Sequence, residues 1–524
     1  MNIDMSSLTL REKIGQTVIT LCTLELFNKK CGNAENFIKR YPIGGLFPCG
    51  GLENGLMNTI PKDEFNKNLN EYNKYSKVPL IAACDGANDT EGVISVGNLM
   101  VLGAANDLNL AYEYGYHMGE KISSCNLHWW FEPVVDLNMS KDSPIINVRS
   151  LSDSVSVALP IAKAIILGIQ DSGVAATAKH FPGTDDKECI DPHLAPVNNG
   201  ISKNKWDRTN GKMYKGLFEE NVMSVMIGHQ NLPCYQSVDA NGKYLPSTLS
   251  SDVVSNLLKD KLGFRGVAVT DALVMGGFVG AEGIKNQVKS FVAGNDVLLW
   301  PDLEYMDLLE KEILEGHIPM SRLDDAVSRV LNLKEKLGIL DGSFHKHKFN
   351  QEKCEEVINK ICEKAVTLVQ DPNNVLSDFP TIKKVLIVGV TPSDNCYNSL
   401  YDLKDEFCKK GICADIQRDI WQDELNEKIN DYDMVIFALS RVVHQPIGPL
   451  EFWGENASSI WASNGCDSFK TIIVSFGDPY AFRYYSETDK TYINAYSNFK
   501  PMFRAVVRAI LGEIPFQGVS PVSL

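Results

Sequence analysis

The sequence predicts an α/β protein in two parts. An N-terminal (β/α)8 barrel of the TIM type is followed by a smaller doubly wound α/β domain of flavodoxin-like type. Three observations predict this. Eight short apolar runs recur within the first 300 residues, separated by helical patterns. Polar residues directly follow several of these runs. A second series of apolar runs begins after residue 380.

The eight runs are residues 17–21 (TVITL), 43–47 (IGGLF), 80–84 (LIAAC), 129–135 (WWFEPVV), 175–178 (AATA), 224–228 (SVMIG), 266–270 (GVAVT) and 296–300 (DVLLW). Continuous apolar runs suit parallel strands covered on both faces. Strands alternating with helices indicate βα units, and eight such units suggest a closed barrel. Asp85 follows LIAAC, Lys179 and His180 follow AATA, His229 follows SVMIG, and Asp271 follows GVAVT. Each lies at the C-terminal end of its run, where barrel enzymes keep their chemistry.

A helix is expected to close the barrel. Pro319, Met320 and Ser321 form a start signal, Leu323, Ala326, Val327, Val330, Leu331 and Leu337 repeat at helical spacing, and Gly338 forms a stop. Residues 341–350 (DGSFHKHKFN) read as a polar linker whose His345 and His347 are solvated. The expected domains are residues 1–340 for the barrel, 341–380 for linker and connecting helix, and 381–524 for the second domain. The strands of the last are residues 384–390, 433–439 and 471–476, with 491–495 as a fourth candidate. It carries neither a GxGxxG nor a Walker loop, so nucleotide binding is not indicated.

A chain of 524 residues is long enough for both parts. Its net charge of -15 is a poor match for nucleic acid or an anionic membrane. Residues 1–10 (MNIDMSSLTL) lack the basic start and apolar run of a secretory signal, and no stretch approaches a membrane span. The 13 cysteines are scattered and form no CxxC pair, as expected of reduced, mostly packed thiols in a cytoplasmic protein. No metal cluster is visible, and no cofactor is expected. Oligomeric state is not legible.

Residues 179–193 (KHFPGTDDKECIDPH) run from a strand end into a loop with four acidic residues and a histidine. The triplet Asp191-Pro192-His193 puts a carboxylate two residues from an imidazole, and Pro192 restricts the backbone between them. Such a carboxylate can fix the tautomer of the imidazole and raise its basicity, as a proton shuttle requires. On spacing alone the signal is weak, and a polar surface loop explains the pattern better.

KHFPG, a polar loop and then Asp-X-His resembles glycoside hydrolase family 3, in its β-N-acetylglucosaminidase branch. Residues 266–276 (GVAVTDALVMG) resemble the nucleophile segment of that family. Residues 131–138 (FEPVVDLN), 148–150 (VRS), 229–233 (HQNLP), 262–264 (LGF) and 512–515 (GEIP) are similar to further family segments, in order along the chain. The resemblance implies retaining hydrolysis of a small carbohydrate substrate, a terminal β-linked N-acetylglucosaminide, with Asp271 as nucleophile and His193 as acid/base oriented by Asp191. It implies sugar contacts from Asp85, Arg149, Lys179, His180 and His229. Lys179 and Arg149 would favour the ionised Asp271. Asp136 and Arg149 are also candidates for a buried ion pair, His229 for a core histidine, and Trp129 and Trp130 for core packing.

The chain departs from the family pattern in two places. Residues 86–92 (GANDTEG) stand where Glu-Gly-Gly-Arg commonly follows the aspartate. Thr184-Asp185-Asp186 replaces the His-Gly-Asp typical of cell-wall recycling enzymes. A phosphorylase of the same sugar, a family 3 glucosidase or xylosidase, and a sugar-binding protein without turnover are the alternatives.

Overall fold

The computed structural model describes residues 4–524 except 23, 54–55, 86–94, 279–281, 379–380, 442 and 444–450, and leaves the side chains of 24–26, 50–53, 56–59 and 378 undescribed. The chain divides into two compact units. One comprises Met1–Val93, Tyr112–Asp136 and Ala162–Gln351; the other comprises Ile94–Ala111, Leu137–Ile161 and Glu352–Leu524.

The first unit is built on eight parallel strands: β1 Val18–Leu21, β2 Gly45–Phe47, β3 Ile81–Cys84, β4 Trp129–Trp130, β5 Ala175–Phe181, β6 Ser224–Ile227, β7 Val267–Thr270 and β8 Leu298–Leu299. They are hydrogen-bonded in the order β8-β1-β2-β3-β4-β5-β6-β7. A parallel bridge between Val269 and Val297 joins the two ends. All eight fall within or overlap the apolar runs read from the sequence. Strand β5 continues beyond its run to include Lys179 and His180. Ile19, Phe47, Ile81, Ala83, Trp129, Ala175, Met226, Val267, Val269 and Leu299 pack in one cluster, the filled interior of such a barrel.

The closing helix spans Met320–Lys336, and Gly338 follows it at φ 70°, a backbone conformation that favours glycine. Its apolar face buries Leu323, Ala326, Val327, Val330, Leu331 and Leu333. Lys334 on the same helix is also buried. Its Nζ donates to Gln16 Oε1 at 2.7 Å and to the carbonyls of Gly44 and Pro79, each at 2.8 Å. These three acceptors precede β1, β2 and β3, so one ammonium group ties the helix to the N-terminal rim of three strands. At the same rim, buried His128 Nδ1 accepts the Ala82 N–H at 2.8 Å. His347, expected in solvent, instead lies half-buried with its Nδ1 3.7 Å from Glu120 Oε1.

The second unit holds a six-stranded sheet: β9 Thr367–Gln370, β10 Lys384–Val390, β11 Cys413–Arg418, β12 Met434–Leu439, β13 Thr471–Ser475 and β14 Thr491–Asn494. The order is β9-β14-β13-β12-β10-β11. Strands β10 to β14 are parallel, and their order is the flavodoxin-like one, with β9 added antiparallel on the edge. Strands β9 and β11 were not read from the sequence. Two segments expected in the barrel domain belong to this unit by packing. Asn98 Nδ2 donates to Tyr496 O at 2.8 Å, Lys364 pairs with Asp107 at 2.6 Å, and Asn147 Nδ2 donates to Asp478 Oδ1 at 3.1 Å.

Eight of the 13 cysteines are buried. Among the described residues no helix is long and apolar enough to cross a membrane.

Candidate active site

Asp271 is the first residue after β7. Its backbone N–H donates to Ile227 O at 2.9 Å, which continues the ladder to β6. Its carboxylate Oδ1 accepts the Ala272 N–H at 2.8 Å, and its side chain is 17% exposed. The group is thus anchored on a rigid strand end with one face open. Burial pushes the Asp271 carboxyl up. The imidazoles of His180, His229 and His193, with the Ala272 N–H, outweigh that and hold it below its ordinary value. The sequence reading expected Lys179 and Arg149 to do this; the histidines do it instead.

His193 lies on the loop after β5. Asp191 Oδ1 accepts both the backbone N–H of His193 at 2.8 Å and its Nδ1 at 2.7 Å. The Asp191 side chain is fully buried, while the His193 ring is 22% exposed. With Nδ1–H given to a carboxylate, Nε2 carries the free lone pair or the mobile proton. The loop begins at Gly183, whose φ of 91° suits glycine. The Gly183 carbonyl accepts from Asn199 Nδ2 at 2.8 Å and from Gln230 Nε2 at 2.5 Å. Asn210 Nδ2 donates to Thr184 O at 2.8 Å. Asp185, a departure from the family pattern, accepts the Lys187 and Gly200 N–H groups.

A second aspartate–histidine pair faces Asp271, and spacing could not reveal it. Asp136 Oδ2 accepts the His180 backbone N–H at 2.9 Å and its Nδ1 at 2.7 Å. The other ring nitrogen, His180 Nε2, lies 3.9 Å from Asp271 Oδ2. Asp136, considered above as an ion-pair partner for Arg149, thus engages His180.

Lys179 is 2% exposed, with its Nζ 2.5 Å from Asp85 Oδ1 and 3.2 Å from Glu132 Oε1. The sequence reading missed Glu132, although it lies in the FEPVVDLN segment. Asp85 remains 35% exposed, and its carbonyl accepts Trp130 Nε1 at 2.7 Å. Trp129 is fully buried, with Nε1 donating to Thr177 Oγ1 at 2.8 Å, and Trp130 is buried too, so both indoles are core packing. The GANDTEG stretch after Asp85 lies outside the described residues.

His229 is buried and internally engaged. Its Nδ1 meets Thr248 Oγ1 and its Nε2 meets Ala272 O, each at 3.0 Å. Burial is the main force lowering its pKa, and His193 and His180 add to that, against Asp271 and the Ala272 carbonyl. Arg149 belongs to the second unit, where its Nη1 donates to Ile145 O at 3.2 Å. The structure therefore gathers Asp271, Asp191, His193, Lys179, His180, Asp85 and His229 in one unit, and places Arg149 in the other. Among the described residues Glu312, Glu315 and His317 are the one group near enough to share a cation, and all but Glu312 are exposed.

Asp271 thus stands at the C-terminal end of a barrel strand with His180, His193 and His229 about it, on the face where barrel enzymes keep their chemistry. The Glycosyl hydrolase family 3 N terminal domain matches residues 9–333, and the chain belongs to that family. A "Beta-N-acetylglucosaminidase/beta-glucosidase" of Cellulomonas fimi is 26% identical over 493 residues, which is 85% of this chain and 84% of that protein. The solved glycoside hydrolase family 3 beta-N-acetylglucosaminidase from Paenibacillus sp. str. FPU-7 superposes with a TM-score of 0.81 at 26% identity, over 99% of each chain. A beta-glucoside phosphorylase bound to 2FGlc superposes at 0.86 and 24% identity, over 99% of this chain and 95% of that one, which shows a common fold.

Proposed function

We propose that the protein is a retaining, exo-acting β-N-acetylglucosaminidase, with Asp271 as nucleophile and the Asp191–His193 dyad as acid/base. The observation that carries this reading is the dyad beside an ionised, strand-anchored carboxylate. The names of two relatives that align over most of the chain supply the substrate class.

In the first step, an Asp271 oxygen attacks the anomeric carbon as the bond to the leaving oxygen breaks. His193 Nε2 gives that oxygen its proton, and the imidazole becomes neutral. In the second step, neutral His193 takes a proton from water as the water oxygen attacks the same carbon. Asp271 leaves, and a sugar of retained configuration is released. Asp191 holds the imidazole in one tautomer and stabilises its charged form. Lys179, His180 and Asp85 present polar groups suited to sugar hydroxyls. His229, with both ring nitrogens engaged, supports Ala272 beside the nucleophile.

The test is turnover of an aryl β-N-acetylglucosaminide beside the matching glucoside, with and without phosphate. Faster release of the acetamido sugar, with free sugar as product, supports the reading. Sugar 1-phosphate as the product would replace water with phosphate as acceptor, which a neutral imidazole repels less than a carboxylate would. Preference for the glucoside would overturn the substrate class.

A further inference from the structure

We infer that Gly276 and Gly277 are positioning residues that latch the loop carrying His193 onto the segment carrying Asp271. The inference rests on the assignment of His193 as the acid/base residue.

The Gly276 N–H donates to His193 O and the Gly277 N–H donates to Pro192 O, both at 2.9 Å. The donors lie five and six residues after Asp271, and the acceptors are the acid/base residue itself and its neighbour. The donor segment is firmly held. Leu273 N–H donates to Leu299 O at 3.1 Å, and the Met275 N–H donates to Ala272 O at 3.1 Å. The acceptor loop is exposed at Asp186, Lys187, Cys189 and Ile190, and its anchors before the dyad are the buried Asp185 and Glu188 and the Asp186–Lys205 pair at 2.7 Å.

Both glycines are required by close approach. A Cβ at Gly276 would lie 2.5 Å from Leu194 O and 2.9 Å from His193 O. One at Gly277 would lie 2.8 Å from Pro192 O and 3.1 Å from His229 Cβ. Three of these four neighbours are backbone oxygens, which have no rotamer to yield. Any larger residue therefore pushes the loop off the nucleophile segment, while the Asp191–His193 contact, internal to the loop, is left intact. The latch sets where the proton donor stands relative to the anomeric carbon, and displacements of about 1 Å at such a point can cost roughly 100-fold in rate.

The experiment uses Gly276→Ala and Gly277→Ala with a series of aryl β-N-acetylglucosaminides of rising leaving-group basicity. An activated nitrophenolate leaves without a proton; a basic phenolate needs one. The expected result is kcat/KM within a few fold of wild type for the most activated substrate and roughly 100-fold lower for the least activated, the range associated with one proton transfer. An equal loss across the series, or no loss, overturns the inference. Hydrogen exchange on the wild-type protein tests the latch without a variant. Gly276 and Gly277 amides should exchange as slowly as Leu273, and fast exchange there also overturns it. Absence of wild-type turnover on every substrate would instead refute the proposed function, while the exchange measurement still reports on the latch.

Discussion

One oxygen of Asp191 receives two hydrogen bonds from His193, from the backbone N–H at 2.8 Å and from ring Nδ1 at 2.7 Å. The carboxylate fixes both the place of the residue and the tautomer of its ring. Asp191→Asn keeps the shape but lets the amide present a donor to Nδ1. The expected outcome is a loss of roughly 10²–10⁴ in kcat/KM on glycosides with basic leaving groups, and much less on activated ones. Steady-state kinetics across such a series checks it.

Asp136 holds His180 in the same two-point way, and His180 faces Asp271 from its other nitrogen. Of the groups that lower the Asp271 carboxyl, His180 contributes most. Removing it in His180→Asn should let that carboxyl rise. The acidic limb of the kcat/KM profile, which reports the free enzyme, should therefore move to higher pH. A limb that stays in place would show that His180 does not set the ionisation of Asp271.

His128 governs a different property. Burial, with the charges of Lys346 and Lys334, pushes its imidazole down to about 3, and the neutral ring accepts the Ala82 N–H. A free histidine binds a proton near 6.5, so the unfolded chain takes up a proton that the folded chain refuses. Stability from this group is complete above pH 6.5 and falls as pH drops through 3. The loss should be about 2 kcal/mol between pH 6.5 and 5. His128→Asn, whose side-chain oxygen can accept the same N–H, should flatten that part of the curve in urea titrations.

Lys334 should matter more than any surface lysine. Lys334→Met would leave Gln16 Oε1 and the Gly44 and Pro79 carbonyls without their shared donor in a buried place. A loss of about 3 kcal/mol or more is expected, with little change in kcat for the molecules that remain folded. Denaturant midpoints and active-site titration together check this.

The barrel was legible because each of its strands is covered on both faces and reads as an apolar run. Strand β11 (CADIQR) was not, because it is an edge strand whose last four residues, Asp415 to Arg418, are only partly buried. Strand β9 pairs with one neighbour alone and is half-exposed over most of its length. The transfer of residues 94–111 and 137–161 to the second unit depends on contacts with residues such as Asp478 and Tyr496, hundreds of positions away. The same contrast divides the site. Asp191 and His193 are two positions apart, so their pairing could be suspected from spacing. Asp136 and His180 are 44 apart, and only the strand order brings them together.

The central claim is that Asp271 bonds covalently to the sugar. The most direct measurement is mass spectrometry of the protein after reaction with a fluorinated N-acetylglucosaminyl fluoride, which forms the glycosyl-enzyme faster than it is hydrolysed. The account predicts a mass increase of one glycosyl unit, carried by the peptide that contains Asp271 and absent in Asp271→Ala. A glycosyl group on another residue, or fluoride release with no adduct, would contradict it.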